Sequence, residues 1–247
     1  MLLRMTALTA LTVGLFGLTY SPVASQDKKD EKKEEKKAKP EDLAKAKKAL
    51  GEVQDFIGLW KLEGTQKVGA DIKAWTEKVT WGWKFKDGDA WITADFAEGK
   101  GKFFTAGELR YDVEKKKYLL TLTSTDKTEQ VFEGDLGKTG GLKLERKDAK
   151  TADMYRLTLT TLAEGIRFQF KFEKQDGGKG LFANVFALNG NKDGESFAGG
   201  AKKPECIVSG GAASIQVTSG GKTYFVCCSG CKDEFNANPE KYTKPKK

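Results

Sequence analysis

Trp75-Thr76-Glu77-Lys78-Val79-Thr80-Trp81-Gly82-Trp83-Lys84-Phe85 is the stretch on which the fold class turns. Trp75, Val79, Trp81, Trp83 and Phe85 recur at a period of two, and the positions between them are mainly Thr and Lys. Successive side chains of a β-strand point to opposite faces, so this pattern makes one apolar and one polar face. Ile166-Arg167-Phe168-Gln169-Phe170-Lys171-Phe172 and Tyr155-Arg156-Leu157-Thr158-Leu159-Thr160 alternate in the same way.

Turn signals separate such runs. They are Lys86-Asp87-Gly88-Asp89, Glu98-Gly99-Lys100-Gly101, Thr139-Gly140-Gly141, Asp176-Gly177-Gly178 and Asn189-Gly190-Asn191. About nine or ten strands at hairpin spacing predict an antiparallel meander closed into a barrel or a curled sheet. Its interior is expected to be filled by Trp81, Trp83, Phe85, Trp91 and Phe168.

Working towards the N-terminus, residues 26–39 are almost entirely Lys, Glu and Asp, too polar to bury a core, and read as a solvated linker. A short helix is expected next. Pro40 suits its first turn, Glu41 and Asp42 its positive end, and Leu43, Ala46 and Leu50 lie at helical spacing. Residues 1–25 read as a secretory signal peptide: Arg4, an apolar run from Met5 to Tyr20, then the small residues before Gln26. The apolar run is short for a membrane span, so export to the periplasm or beyond is expected, with no stable membrane span after cleavage. An uncleaved anchor is the alternative.

The 247 residues carry a formal net charge of +8 and no histidine. Missing histidine excludes His-based triads, His general acid–base catalysis and His-ligated haem. The lysines are dispersed among carboxylates, with no Arg-rich or aromatic-basic cluster, so nucleic acid is not an expected partner.

All 4 cysteines lie towards the C-terminus: Cys206, Cys227, Cys228 and Cys231. Cys206 opens a turn of small residues. Ile215–Thr218 and Lys222–Val226 predict a hairpin around Ser219-Gly220-Gly221, whose second strand delivers Cys227 and Cys228. Ser229-Gly230 turns the chain and Cys231 opens a helix, where the dipole favours a thiolate. Asn238-Pro239 is expected to end that helix. Phe235 and Tyr242 would form a miniature core beneath the hairpin.

Two family resemblances follow from these residues. Gly58-x-Trp60, with the meander over residues 56–194, resembles the opening of lipocalin-like barrels, which often hold a small apolar ligand. Cys206-x20-Cys227-x3-Cys231, with Gly221-Lys222-Thr223-Tyr224-Phe225-Val226-Cys227-Cys228-Ser229-Gly230-Cys231 and then Asn238-Pro239-Glu240-Lys241-Tyr242, resembles YHS/TRASH-type modules of heavy-metal transport and trafficking. That resemblance implies Cys206, Cys227 and Cys231 as ligands. Cys228 stands where the family has Cys or Ser and is a candidate fourth. Ile207 departs from a frequent Pro, and any His ligand of the family has no counterpart here.

The chain is therefore expected to be mainly β, an antiparallel lipocalin-like meander barrel plus a small C-terminal β-hairpin and helix cysteine module. Boundaries are expected at 1–25 (signal), 26–54 (charged linker with helix), 55–196 (barrel), 197–204 (linker) and 205–247 (module). The expected function is to hold or buffer a soft metal, Cu or Zn, on thiolates. No catalytic residue is assigned; a thiol oxidoreductase built on Cys228-x2-Cys231 lacks the usual βαβ setting. A metal-handling protein or a small apolar ligand are further candidate partners. Oxidation is the competing reading for an exported chain. It would pair Cys206–Cys227 with Cys228–Cys231, or Cys206–Cys228 with Cys227–Cys231, and leave a ligand-binding barrel with a stapled tail.

Overall fold

The computed structural model describes residues 39–138, 140–194 and 203–244. The expected signal peptide, most of the charged linker and most of the 197–204 linker lie outside them.

Ten strands form a closed barrel: β1 (Gly58–Val68), β2 (Asp71–Lys86), β3 (Asp89–Phe96), β4 (Phe104–Asp112), β5 (Lys117–Ser124), β6 (Glu129–Leu136), β7 (Leu142–Lys147), β8 (Met154–Leu162), β9 (Arg167–Gln175) and β10 (Ala183–Lys192). Every neighbour in sequence is an antiparallel neighbour in space, and β1 closes the sheet by pairing with β10. Closure leaves no open edge along the paired lengths. β2 carries the predicted alternation. Val79, Trp81 and Trp83 are buried, with Trp75 and Phe85 partly buried on the same face. Phe168 meets Trp60 at 5.0 Å and Phe56 at 5.5 Å between ring centroids. Burying one such aromatic group stabilises the fold by about 2–3 kcal/mol.

Two expectations need correction. Trp91 does not fill the interior. Its register partner is Lys84, whereas Trp83 pairs with Ile92 and Phe85 with Ala90 on the inward face. Trp91 therefore points outward, 6 % exposed, with the Arg110 guanidinium 4.2 Å from its ring. Asn189-Gly190-Asn191 is not a turn but lies within β10, opposite Leu62 of β1 and Phe168 of β9. A Cβ on Gly190 would stand 2.0 Å from the Lys61 carbonyl oxygen, so glycine here allows close approach of two strands rather than a reversal.

α1 (Pro40–Gly51) begins at Pro40 as expected, with Glu41 and Asp42 in its first turn. It packs on β3 and β4 and buries Leu50 completely. The Tyr118 hydroxyl at the start of β5 donates to the Ala49 carbonyl at 2.9 Å. A 3-10 turn at Gln54–Phe56 carries the chain into β1, and Trp60 Nε1 donates to the Phe56 carbonyl at 2.7 Å. Leu50, Val53 and Phe56 thus close one end of the barrel.

The C-terminal module contains the two-stranded β11 (Ile215–Ser219) and β12 (Lys222–Val226), then α2 (Ser229–Ala237) and α3 (Pro239–Thr243). Gly220 and Gly221 both have positive φ, 56° and 73°, as the tight hairpin turn requires. α2 starts at Ser229 with Cys228 as its N-cap, earlier than expected. Pro239 does more than end α2: it opens α3 as a first-turn residue. Phe235 is fully buried between Tyr224 and Tyr242, at 5.5 and 6.4 Å. One contiguous core joins barrel and module, running through Trp83, Val226, Cys228, Cys231 and Phe235.

Candidate metal centre

Three chain segments converge on the cysteines. The first is the turn at Cys206, held by the Gly210 amide donating to the Cys206 carbonyl and the Cys206 amide to the Gly211 carbonyl, at 2.8 and 2.6 Å. Gly211 packs against the end of the Gln54 side chain, where a Cβ would lie 3.0 Å from Oε1. The second is the end of β12, and the third is the first turn of α2. Together they bring the Sγ atoms of Cys206, Cys227 and Cys231 within 4.8 Å of one another.

Cys228 behaves differently. After β12 the backbone at Cys228 remains extended, φ −154° and ψ 172°, so neighbouring side chains diverge. Cys227 faces the Cys206 turn, with Sγ 3.3 Å from Ser209 Oγ and 3.5 Å from Cys231 Sγ. Cys228 faces the barrel, where its Sγ accepts the Trp83 backbone amide at 3.4 Å. That amide is available because β1 begins at Gly58, opposite Trp81, and leaves Trp83 without a partner on that side. Gly230 packs so closely that a Cβ would stand 1.6 Å from the Trp83 carbonyl oxygen. The start of α2 therefore covers the short free edge of β2. Cys228 Sγ remains 3.9 Å from Cys227 Sγ, adjacent to the three-sulfur set but outside it.

All four cysteines are free thiols. The Cys227–Cys231 and Cys227–Cys228 sulfur separations, 3.5 and 3.9 Å, far exceed the ~2.05 Å of a disulfide. They share protons. Hydrogen bonds from Cys227 and Cys231 hold the Cys206 thiol well below its ordinary range, and a set led by Cys227 does the same for Cys228. Cys227 and Cys231 are correspondingly pushed up, first by their hydrogen bonds to Cys206. The donor chemistry fits a soft metal ion. Thiolates about 2.3 Å from a zinc ion stand roughly 3.7 Å apart, close to the 3.5 Å between Cys227 and Cys231.

Sequence reasoning missed the contribution of α1. Lys47 reaches from that helix to donate to the Val208 carbonyl at 3.0 Å. Burial lowers its pKa first, Lys241 adds to this, and the nearby Cys231, Glu234 and Cys206 oppose it. Lys47, Lys48, Gln54, Ser209 and Gly210 line a groove of about 440 Å³ between α1 and the Cys206 turn. Ser209 belongs both to this groove and to the contact with Cys227, whose half-buried side chain is the least buried of the four cysteines. Nothing local in the sequence around Lys47 or Trp83 marks these long-range roles.

A closed β-barrel bearing a thiol-rich module against one end defines the class of protein. Within it, residues 208–246 match the family model of the YHS domain. The match begins just after Cys206, so that ligand candidate joins the site through the fold. Among solved structures, the chain is similar to Rv2717c from M. tuberculosis, at 17% identity over 59% of this chain and 97% of that one, with a TM-score of 0.40. No curated protein matches the chain.

Proposed function

We propose that this is an exported, non-enzymatic protein that holds or buffers a soft transition metal ion, copper or zinc. The carrying observation is the convergence of the Cys206, Cys227 and Cys231 sulfurs within 4.8 Å from separate chain segments. Three thiolates, with Cys228 engaged by the Trp83 amide, suit Cu(I) or an exchangeable zinc better than a closed four-thiolate structural site. A bound metal would supply cross-linking of the three segments. The chain itself supplies a preformed pocket, the nearby Lys47 cation and a groove lined in part by Ser209, which contacts Cys227. Export is supported by the N-terminal sequence pattern, and a non-catalytic role by the absence of histidine and of any assigned nucleophile–base pair.

The test is elemental analysis of protein purified without added metal, together with a thiol count before and after reduction. The expected result is roughly one equivalent of copper or zinc, lost in Cys206→Ser, Cys227→Ser and Cys231→Ser. A chain that takes up neither Cu(I) nor Zn(II) after full reduction sinks the proposal.

A further inference from the structure

At the end of the barrel opposite α1, the inward register changes character. β7 points Leu142 and Leu144 into the core, both fully buried, and the next inward position is Arg146. β8 follows inward Leu159 and Leu157 with Tyr155, the register partner of Arg146. Ser124 continues the inward row of Leu120 and Leu122 on β5, and Gln130 that of Phe132 on β6. These polar groups gather over a floor of Phe104, Phe172 and Phe186, around a cavity of about 190 Å³.

Arg146 has unused recognition capacity. Its Nε is buried without a partner. Its Nη1 lies 3.4 Å from Asp148 Oδ2, a long contact, and Asp148 Oδ1 already accepts the Lys150 and Thr151 amides. The guanidinium is held between aromatic groups, 4.7 Å from the Tyr155 ring and 5.8 Å from that of Phe132. Two other charged groups near this end are already engaged. Lys174 is paired with Asp153 and Asp176, and Glu77 accepts the Trp75 indole and the Lys102 amide.

We infer that this cup binds a small aromatic carboxylate, with the carboxylate on Arg146 and the ring against Phe103, Phe104, Phe172 and Phe186. A guanidinium offers parallel donors matched to a carboxylate. The ring faces offer stacked and edge-on contacts, as Phe103 and Phe186 already make at 4.3 Å. The volume exceeds the ~150 Å³ apolar cavity known to accept benzene. The filled interior below limits ligand length: Phe96, Phe104 and Phe170 pack at 6.0 to 6.3 Å between centroids and leave no channel for a long acyl chain. This site is independent of the cysteine centre.

The test is titration of the full chain with benzoate and its neutral analogue benzamide, by calorimetry and ligand-observed NMR. Benzoate is expected to saturate, with benzamide at least about ten-fold weaker. Arg146→Met should remove that preference while Lys143→Met, on the outer face of the same strand, leaves it intact. If Arg146→Met fails to fold, Arg146→Lys keeps the charge without the fork and should narrow the ratio. Equal binding of the two probes, no saturable benzoate binding, or a preference that survives Arg146→Met would overturn the inference.

Discussion

Cys227 and Cys228 are adjacent in sequence and divide their tasks because the chain stays extended between them. Cys228 serves the dock to the barrel, so Cys228→Ala should retain roughly one metal equivalent, unlike Cys231→Ser. Its signature should be faster hydrogen exchange at the Trp83 amide, read by NMR. A lost metal equivalent with an unchanged Trp83 amide would make Cys228 a ligand instead. Lys47 sits behind the site without touching a metal position, hydrogen-bonded to Val208 and close enough to feel Cys206 and Cys231. Groups of this outer kind typically change metal affinity ~10–100-fold when removed. Lys47→Met should therefore weaken Cu(I) or Zn(II) binding by about ten-fold in a chelator competition. It should also flatten the dependence on ionic strength, and Lys47→Arg should restore both.

At the scale of elements, alternation made most strands legible, since an inward period of two in β2, β8 and β9 is a local property. What stayed hidden was set by partners distant in sequence. Gly190 looks like a turn glycine until Lys61 is seen across from it, and Trp91 looks like core until its register with Lys84 is known. The cysteine spacing pointed to the sulfurs of Cys206, Cys227 and Cys231, which converge, but the diversion of Cys228 depends on where β1 happens to stop. Gly230 of α2 packs directly against the Trp83 backbone of the barrel. Gly230→Ala must move helix from strand, at a cost of about 1–3 kcal/mol for overpacking. Gly51, with open space around its Cα, is the control: Gly51→Ala should stabilise α1 by about 0.5–1 kcal/mol. Asp153 ties two loops, accepting the Gly177 amide and pairing with Lys174, and these contacts depress its pKa to about 2. Against an unfolded value of about 3.9, the carboxylate contributes its full stability above that pH and loses it as pH falls towards the folded value. Acid titration of thermal stability should show Asp153→Asn less stable than the parent at neutral pH, with the gap closing near pH 2.

Over the whole molecule, barrel and module share one hydrophobic core instead of being joined only by a tether. A ligand that binds only the folded module should then stabilise the barrel as well. At a free metal concentration ~100 times the dissociation constant, the linkage is about 2.7 kcal/mol. For a molecule of this size that corresponds to roughly 5–10 °C in Tm. The buried tryptophans Trp60 and Trp81 report the barrel through near-ultraviolet circular dichroism, and thiol accessibility reports the module. In the parent protein both transitions should coincide and rise together with metal. In Gly230→Ala they should separate, the metal protecting the thiols while the barrel transition stays where it was. If the barrel transition in the parent ignores metal that demonstrably occupies the cysteines, the shared core does not couple the two parts, and the contacts of Cys228 and Gly230 with Trp83 attach the module without transmitting its stability.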